Sequence, residues 1–474
     1  MVCWKKASLS KGAFGEVIMD IQALVTAQRA YFNTGATLPL SARRAALQRL
    51  RETITSYEGD ITAALRSDLN KSPTESYMCE VGLTLSELSF VEKRLGRWMA
   101  DRPHLTPLAQ FPARSFTVRE PYGVVLVMSP WNYPFLLTVE PLIGAIAAGN
   151  CCVVKPSAYS PATSAVLREI LAECFPPEFV AVVEGGRAEN QALLDQKFDY
   201  IFFTGGVEVG KELMTRAARH LTPVTLELGG KSPCIVDSTA RLDLAAKRLV
   251  FGKLLNCGQT CVAPDYLLID RRVKAPFLAY VQRWITVMYG EDPLDNDGYV
   301  HMVNRKHFDR VMGLIDPAKV VFGGRGDPET LKIQPTVLDN VSPQDPVMQE
   351  EIFGPVLPVL TFDQIGEALD FVNARPRPLA LYLFSREKST QERFLRRVSF
   401  GGGCINDTVI HLATSRMGFG GVGNSGMGSY HGRDSFETFS HRKSVVKKST
   451  LLDLPVRYAP YSSGKDRLLR LFLR

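Results

Sequence analysis

Four short, continuous apolar runs, at residues 124–128, 151–154, 180–183 and 200–203, constrain this chain more than any other feature. Strands without a polar side suit a sheet buried on both faces, and such sheets are parallel because helices must cover them. Helix-patterned spacers, among them 141–148 and 161–174, supply the crossovers. A doubly wound α/β sheet is therefore expected to start near Gly123. The segment 225–230 closes this block, and a second alternating region from about 232 to 405 predicts a second α/β domain, as the length of 474 residues also demands.

Ahead of the sheet, about residues 16–99 read as successive amphipathic helices, with Leu47, Leu50 and Ile54 at helical spacing. A strand at 115–119 follows a stretch containing Pro103, Pro107 and Pro112, and a β-branched segment at 444–446 is expected to form a late strand. The hydrophobic fraction of 45% and charged fraction of 22% are those of an ordinary soluble protein. The net charge of +7 is spread along the chain, so nucleic acid is not an expected partner. Nine cysteines without regular spacing or an export-like leader suit free thiols in a reducing, cytoplasmic setting. No stretch reaches the roughly 20 apolar residues that a bilayer crossing requires. The tail from Lys465 alternates basic residues with leucines, which suits packing on a partner subunit or a peripheral membrane contact.

Several residues could carry chemistry. Cys257 and Cys261 lie between a helical pattern at 242–255 and an apolar strand beginning at Tyr266, a junction where a cysteine can face a cleft. Isolated cysteines are more often small buried residues, and a Cys-x-x-x-Cys pair lacks the further ligands of a zinc site. Glu227, between Leu226 and Leu228, sits where an apolar strand end could desolvate a carboxyl group and strengthen it as a base, although a strand-end glutamate is ordinarily solvated. Asn132 follows the strand at 124–128, beyond whose carboxyl end a parallel sheet takes its ligand; its amide could donate to an oxyanion or merely close a turn. The strand at 199–203 runs into Thr204-Gly205-Gly206-Val207-Glu208-Val209-Gly210 and then a helix at 211–219. That turn could offer backbone N–H groups to a pyrophosphate, with a spacing unlike Gly-x-Gly-x-x-Gly. The segment 11–17 looks like part of a kinase glycine loop, but no His-Arg-Asp or Asp-Phe-Gly triplet follows it.

Taken together and in order, 129–134, 203–210, 227–231, 258–261 and 350–356 resemble the aldehyde dehydrogenase superfamily. The segment 421–428, with Tyr430-His431-Gly432 and 436–441 after it, is similar to the class 3 branch, and the resemblance runs from about residue 21 to 446. It implies two doubly wound α/β domains with a small β oligomerisation element. The implied boundaries are a helical part of the cofactor-binding domain at 1–113, an oligomerisation strand at 114–122, a Rossmann-like cofactor-binding core at 123–228, a catalytic domain at 229–405, and a return segment with oligomerisation arm at 406–474.

By the same resemblance, Cys261 attacks an aldehyde to give a thiohemiacetal whose oxygen is held by Asn132 and the Cys261 N–H. Hydride passes to the nicotinamide, and Glu227 activates the water that hydrolyses the remaining thioester. Glu351 and Phe353 are implied to hold the nicotinamide ribose and ring, Lys155 the adenine ribose, and the turn Thr204, Gly205, Gly206 and Gly210 the pyrophosphate. Trp131, Ser157, Leu228 and Gly229 complete the implied cofactor contacts, and no metal is implied. A homodimer joined through the strands near 115–119 and 444–446 is implied as well.

Two positions depart from the family pattern. Many relatives carry a ribose-binding glutamate after Lys155-Pro156-Ser157, where this chain has Ala158. Without a carboxylate to repel a 2′-phosphate, use of both NAD and NADP is expected. Gly206-Val207 stands where relatives often carry a polar side chain, leaving phosphate to the backbone. Tyr133, Phe135 and Leu136 suggest an apolar tunnel, hence aliphatic or aromatic aldehydes. The alternatives are an acylating relative that releases its thioester to coenzyme A or phosphate, against which Glu227 argues, a non-catalytic NAD(P)-binding scaffold, and a zinc-thiolate protein.

Overall fold

A computed structural model describes residues 20–472, so the segment 11–17 and the last two residues of the basic tail lie outside the described residues. The four apolar runs form the strands Val124–Met128, Cys151–Lys155, Val180–Val182 and Tyr200–Gly205, and Val224–Leu228 joins them. Every residue of the first three is buried. Across this sheet the order is Gly426–Met427, Val224–Leu228, Tyr200–Gly205, Val124–Met128, Cys151–Lys155, Val180–Val182, parallel except at the first pair. The winding reverses between Val124–Met128 and Tyr200–Gly205, and the crevice beyond their carboxyl ends is where an open sheet takes a ligand.

A second sheet runs Val320–Phe322, Thr336–Leu338, Val356–Phe362, Tyr266–Asp270, Pro233–Val236, Ala380–Phe384, Gly402–Ile405, again parallel except at the first pair. Asn132 and Glu227 leave or end strands of the first sheet, whereas Asp265 and Glu351 precede strands of the second. The carboxyl edge of one sheet therefore meets the amino edge of the other. A third, antiparallel sheet pairs Ala113–Pro121 with Ser440–Lys448 along their whole length and adds Arg102–His104 at the edge. Among the described residues, no helix is long and apolar enough to cross a membrane. The basic tail forms the helix Ser463–Phe472, with Leu468 and Leu471 exposed.

Two helices differ from expectation. The one expected at 141–148 begins at Leu136, so Pro141 lies inside it. Its start is capped from a distance, because the Glu80 carboxylate accepts from the N–H groups of Phe135 (2.9 Å) and Leu136 (3.2 Å). The helix expected at 211 begins at Val207 with Gly206 as its N-cap, and Glu208 in the first turn suits the helix dipole. Gly210 therefore belongs to the helix and not to the turn. A Cβ there would lie 2.8 Å from Leu228 Cδ2, so this glycine serves helix-to-strand packing.

Before Cys261 the backbone takes an uncommon path, with φ of +53° at Asn256, +55° at Cys257 and +72° at Gly258. A residue with a side chain costs roughly 1–2 kcal/mol in that region. Space also restricts Gly258, since a Cβ would lie 2.4 Å from the Gly354 carbonyl oxygen. Gly258→Ala is expected to lower stability by about 1–3 kcal/mol or more, read as a lower Tm. Gly366→Ala, on the helix Ile365–Asn373 with nothing within 4 Å, is expected to raise it by about 0.5–1 kcal/mol. Equal effects at the two positions would contradict this account of the turn.

Candidate active site

Cys261 follows that left-handed turn and stands where two cavities meet. One, of about 190 Å³, is walled by apolar side chains that include Met78, Leu136, Phe251, Ile410 and Phe419. The other, of about 500 Å³, is a cleft walled by the glycine turn, Trp131, Glu351 and Phe353. Leu137, Thr204, Glu227 and Cys261 line both. Cys257, by contrast, packs in the core beside the second sheet and donates to Tyr299 Oη at 3.4 Å. The two cysteines face different surroundings, and among the described residues no cluster of three or more His, Cys, Asp or Glu side chains is arranged to hold a metal.

Hydrogen bonds hold the strained turn against the Asn132 loop. The Asn132 amide donates to the Gln259 carbonyl at 3.0 Å, and the Asn132 carbonyl accepts from Asn256 Nδ2 at 2.8 Å and from Lys71 Nζ at 2.9 Å. The Asn256 N–H donates to the Glu75 carboxylate at 2.8 Å, and Gln259 bridges to the His301 carbonyl and the Val303 N–H. Tyr133 Oη and Thr260 Oγ1, 2.6 Å apart, add a bond between the loops. Lys71 and Glu80 form a wholly buried ion pair at 2.5 Å behind them. Removing one partner of such a pair typically costs about 3–5 kcal/mol. Sequence reasoning missed Lys71, Glu75 and Glu80, since charged residues in a helical stretch ordinarily mark a solvated face.

Burial dominates the electrostatics. It pushes the Cys261 thiol up to about 12, with Glu351 and Glu227 adding to the rise and the N–H groups of Cys261 and Val262 opposing it. Glu227 is 3% exposed, neither of its carboxyl oxygens has a hydrogen-bond partner, and desolvation raises it well above the usual carboxylate range. Burial, followed by the charge of Asp265, lifts Glu351 to about 8, with the Gly230 N–H opposing. Glu351 comes so close to the backbone that a Cβ on Gly229 would lie 2.0 Å from its Oε2. Its segment is anchored by Asp265, which accepts from the Ile352 N–H at 2.9 Å and pairs with Lys231; Lys231 also donates to the Val347 and Glu350 carbonyls.

The cleft brings together Trp131, Asn132, Thr204, Gly205, Gly206, Glu227, Leu228, Gly229, Cys261, Glu351 and Phe353 from the sequence-derived set. Gly210, Lys155 and Ser157 are not among its lining residues. Lys155 Nζ donates to the Pro156 and Gly185 carbonyls at 2.7 and 2.6 Å, and burial lowers it to about 8. Phe135 does not face the apolar cavity: it is wholly buried in the core, and Tyr133, Leu136 and Leu137 form that wall instead. His307 and Arg310 join the cleft without a sequence signal, and the Trp131 ring lies 5.1 Å from that of His307 and 5.4 Å from that of Phe353. The cleft fits a nicotinamide dinucleotide. The 12-residue helix Val207–Ala218 starts there with no side-chain cap on its free N–H groups, and the buried Glu351 carboxylate stands beside it.

Residues 17–445 match the model of the aldehyde dehydrogenase family. The chain belongs to that family. This aldehyde dehydrogenase is 46% identical over 448 residues to 4,4'-diaponeurosporen-aldehyde dehydrogenase of Staphylococcus aureus, a match that covers 94% of this chain and 97% of that one. It is 44% identical over 443 residues to the dimeric NADP-preferring aldehyde dehydrogenase of Canis lupus familiaris, covering 93% and 98%. A substrate-bound structure of Staphylococcus aureus AldH superposes with a TM-score of 0.95 at 44% identity, covering 96% of this chain and all of that one. An NAD-dependent aldehyde dehydrogenase from Sinorhizobium meliloti does so with a TM-score of 0.84 at 28% identity, covering 94% and 88%. The protein is thus an oxidoreductase that converts aldehydes to acids with a nicotinamide dinucleotide, on the aldehyde dehydrogenase fold.

The unpartnered Glu227 carboxyl gives a test that needs no turnover. Its folded-state pKa lies above the roughly 4.3 of an unfolded glutamate, so between the two values the native state binds the extra proton and stability falls as pH rises. Glu227→Gln removes that penalty. Its Tm is expected to exceed that of the parent at neutral and alkaline pH, by the equivalent of about 1 kcal/mol or more, and to converge with it in acid. A Tm below the parent's at neutral pH would show that the carboxyl is stabilised by contacts.

Proposed function

We propose that Cys261 is the nucleophile, that Asn132 and the Cys261 N–H hold the oxyanion, and that Glu227 is the base for thioester hydrolysis. The observation that carries this reading is the position of Cys261 and Glu227 where the apolar cavity opens into the cleft. An aldehyde in the apolar cavity presents its carbonyl carbon to the sulfur; as the C–S bond forms, the thiol proton passes to the Glu227 carboxylate in the same cavity, which releases it to solvent before hydrolysis, and the carbonyl oxygen becomes an oxyanion. The Asn132 amide spends one N–H on Gln259 and has a second without a partner among the described residues. A donor of this kind is typically worth about 10²–10³ in rate.

A nicotinamide, when bound, would supply the acceptor for the hydride that leaves the former aldehyde carbon, so that the acyl group remains on sulfur as a thioester. Once the thioester stands on Cys261, the Glu227 carboxylate takes a proton from water as the water attacks, and the acid is released with the thiolate as leaving group. Because neither Glu227 oxygen is engaged, the carboxylate can receive that proton directly. The same residue favours water over coenzyme A or phosphate as the acyl acceptor. Intact Cys261, Glu227 and Asn132 within one site argue against a non-catalytic scaffold.

Glu351 and Phe353 would hold the nicotinamide end, Trp131, Leu228 and Gly229 the cleft wall, and Thr204, Gly205 and Gly206 the pyrophosphate. Lys155 and Ser157 would reach the adenine ribose beyond the lining of the cleft, and the exposed Ala158 beside them offers no carboxylate against a 2′-phosphate. Both NAD and NADP are therefore assigned as cofactors. The apolar wall favours aliphatic or aromatic aldehydes. Residues 1–113 and 123–228 would carry the cofactor, 229–405 the nucleophile, and 114–122 with 406–474 the contact of a homodimer. Exposed Val446 and Leu451, and the dimeric relative, support that last assignment. Cysteine usage supports a cytoplasmic setting.

One assay tests the reaction and the cofactor together. With an aliphatic aldehyde and no coenzyme A or phosphate, one acid is expected per reduced nicotinamide, and kcat/KM for NAD and NADP should agree within about tenfold, or 1.4 kcal/mol. A requirement for coenzyme A, or a preference of a thousandfold or so for NAD, would overturn the respective assignment.

A further inference from the structure

The positive charge, spread evenly along the sequence, is gathered by the fold. A third cleft, of about 620 Å³ and separate from the cofactor cleft, is lined by Arg94, Arg97, Arg102, Arg119, Arg416 and Arg433. Only two carboxylates, Asp101 and Asp434, share its walls. The arginines come from the end of the helix Gly82–Met99 and the strand after it, from the strand Ala113–Pro121, and from the loop and helix at 415–438.

Two of the six are already partnered. Arg119, whose side chain is 6% exposed, grips Glu437 through two bonds of 2.9 and 2.6 Å, and Arg433 shares that carboxylate at 3.1 Å. Arg94, Arg97, Arg102 and Arg416 form no ion pair with any described residue. Arg94 lies 3.8 Å and Arg416 5.9 Å from the centre of the same Phe90 ring, which brings their charges together. Like charges converging on one concave site repel, and each low-dielectric wall strengthens the field at its centre.

We propose that this cleft binds a compact multivalent oxyanion. Guanidinium groups are planar forks that match phosphate and carboxylate oxygens two at a time, so four forks outside any ion pair, of which Arg94 alone spends one N–H on the Phe90 carbonyl, suit a ligand with several such oxygens. The Arg119–Glu437 pair, with its Arg119 side chain buried, fixes the floor, and the exposed arginines line the rim. His431 lines both this cleft and the apolar cavity, with its Nε2 3.2 Å from Glu140, so the ligand would sit one imidazole away from the aldehyde. A merely solvated basic surface would scatter these side chains over a convex face instead of pointing them into one cavity.

The test uses the full chain saturated with NADH, which occupies the cofactor cleft, and inorganic pyrophosphate as the probe at constant ionic strength. Calorimetry is expected to show one binding event per chain, and Tm should rise with pyrophosphate concentration. In the double variant Arg97→Ala/Arg416→Ala the ligand-free Tm should equal or exceed the parent's, because repulsion is relieved, while affinity falls by at least about tenfold. Arg97→Lys/Arg416→Lys should recover part of it, and citrate run in parallel separates carboxylate from phosphate recognition. No binding of either anion to the NADH-saturated parent, or equal affinity in parent and alanine variant, would overturn the proposal. Since catalysis is not read, failure here leaves the assignments at Cys261 and Glu227 untouched.

Discussion

The backbone carbonyl of Asn132 is the point on which the site turns. It accepts from Lys71 and from Asn256 at once, while the Asn132 side chain donates back to Gln259. One residue thereby ties the loop beyond the first sheet to the loop ahead of the second. The left-handed run at 256–258 would not persist unaided, and these bonds, with Glu75 and the bridging Gln259, hold it. These bonds set the backbone ahead of Cys261 relative to the Asn132 amide, the arrangement that the proposed thiohemiacetal oxyanion would require.

The site also stores instability in its acids. Glu227 is buried without a partner, and Glu351 is buried against Asp265 and backbone. Each raises the energy of the folded state at neutral pH, and each faces a cavity that a substrate or cofactor would fill. Such groups are kept where function needs them, at the expense of stability. The Lys71–Glu80 pair illustrates the opposite use of buried charge: every oxygen of Glu80 is engaged, and the pair caps a helix and holds a loop.

The parts legible in the sequence were those with a local signal. Apolar runs without alternation announced parallel strands covered on both sides, and the ordered segments around Asn132, Glu227, Cys261 and Glu351 announced the family. What stayed hidden depended on residues far apart in the chain. The helix start at Leu136 is capped by Glu80, 56 positions away, so Pro141 gave a false beginning. Gly210 was placed in a turn because its contact with Leu228 comes from a neighbouring strand. Phe135 and Leu136 are adjacent, yet one enters the core and the other the cavity. The arginine cleft was invisible for the same reason, its six members being dispersed between positions 94 and 433.

With Cys261 as the proposed nucleophile, an acyl group must pass through its sulfur. Intact-protein mass spectrometry of Glu227→Gln, mixed with aldehyde and NAD at alkaline pH, reads this directly. An added mass equal to the aldehyde less two hydrogens is expected, located at Cys261 by peptide mapping and absent when Cys261 is replaced by serine. Acylation of another cysteine, or steady acid release with no adduct, would contradict it.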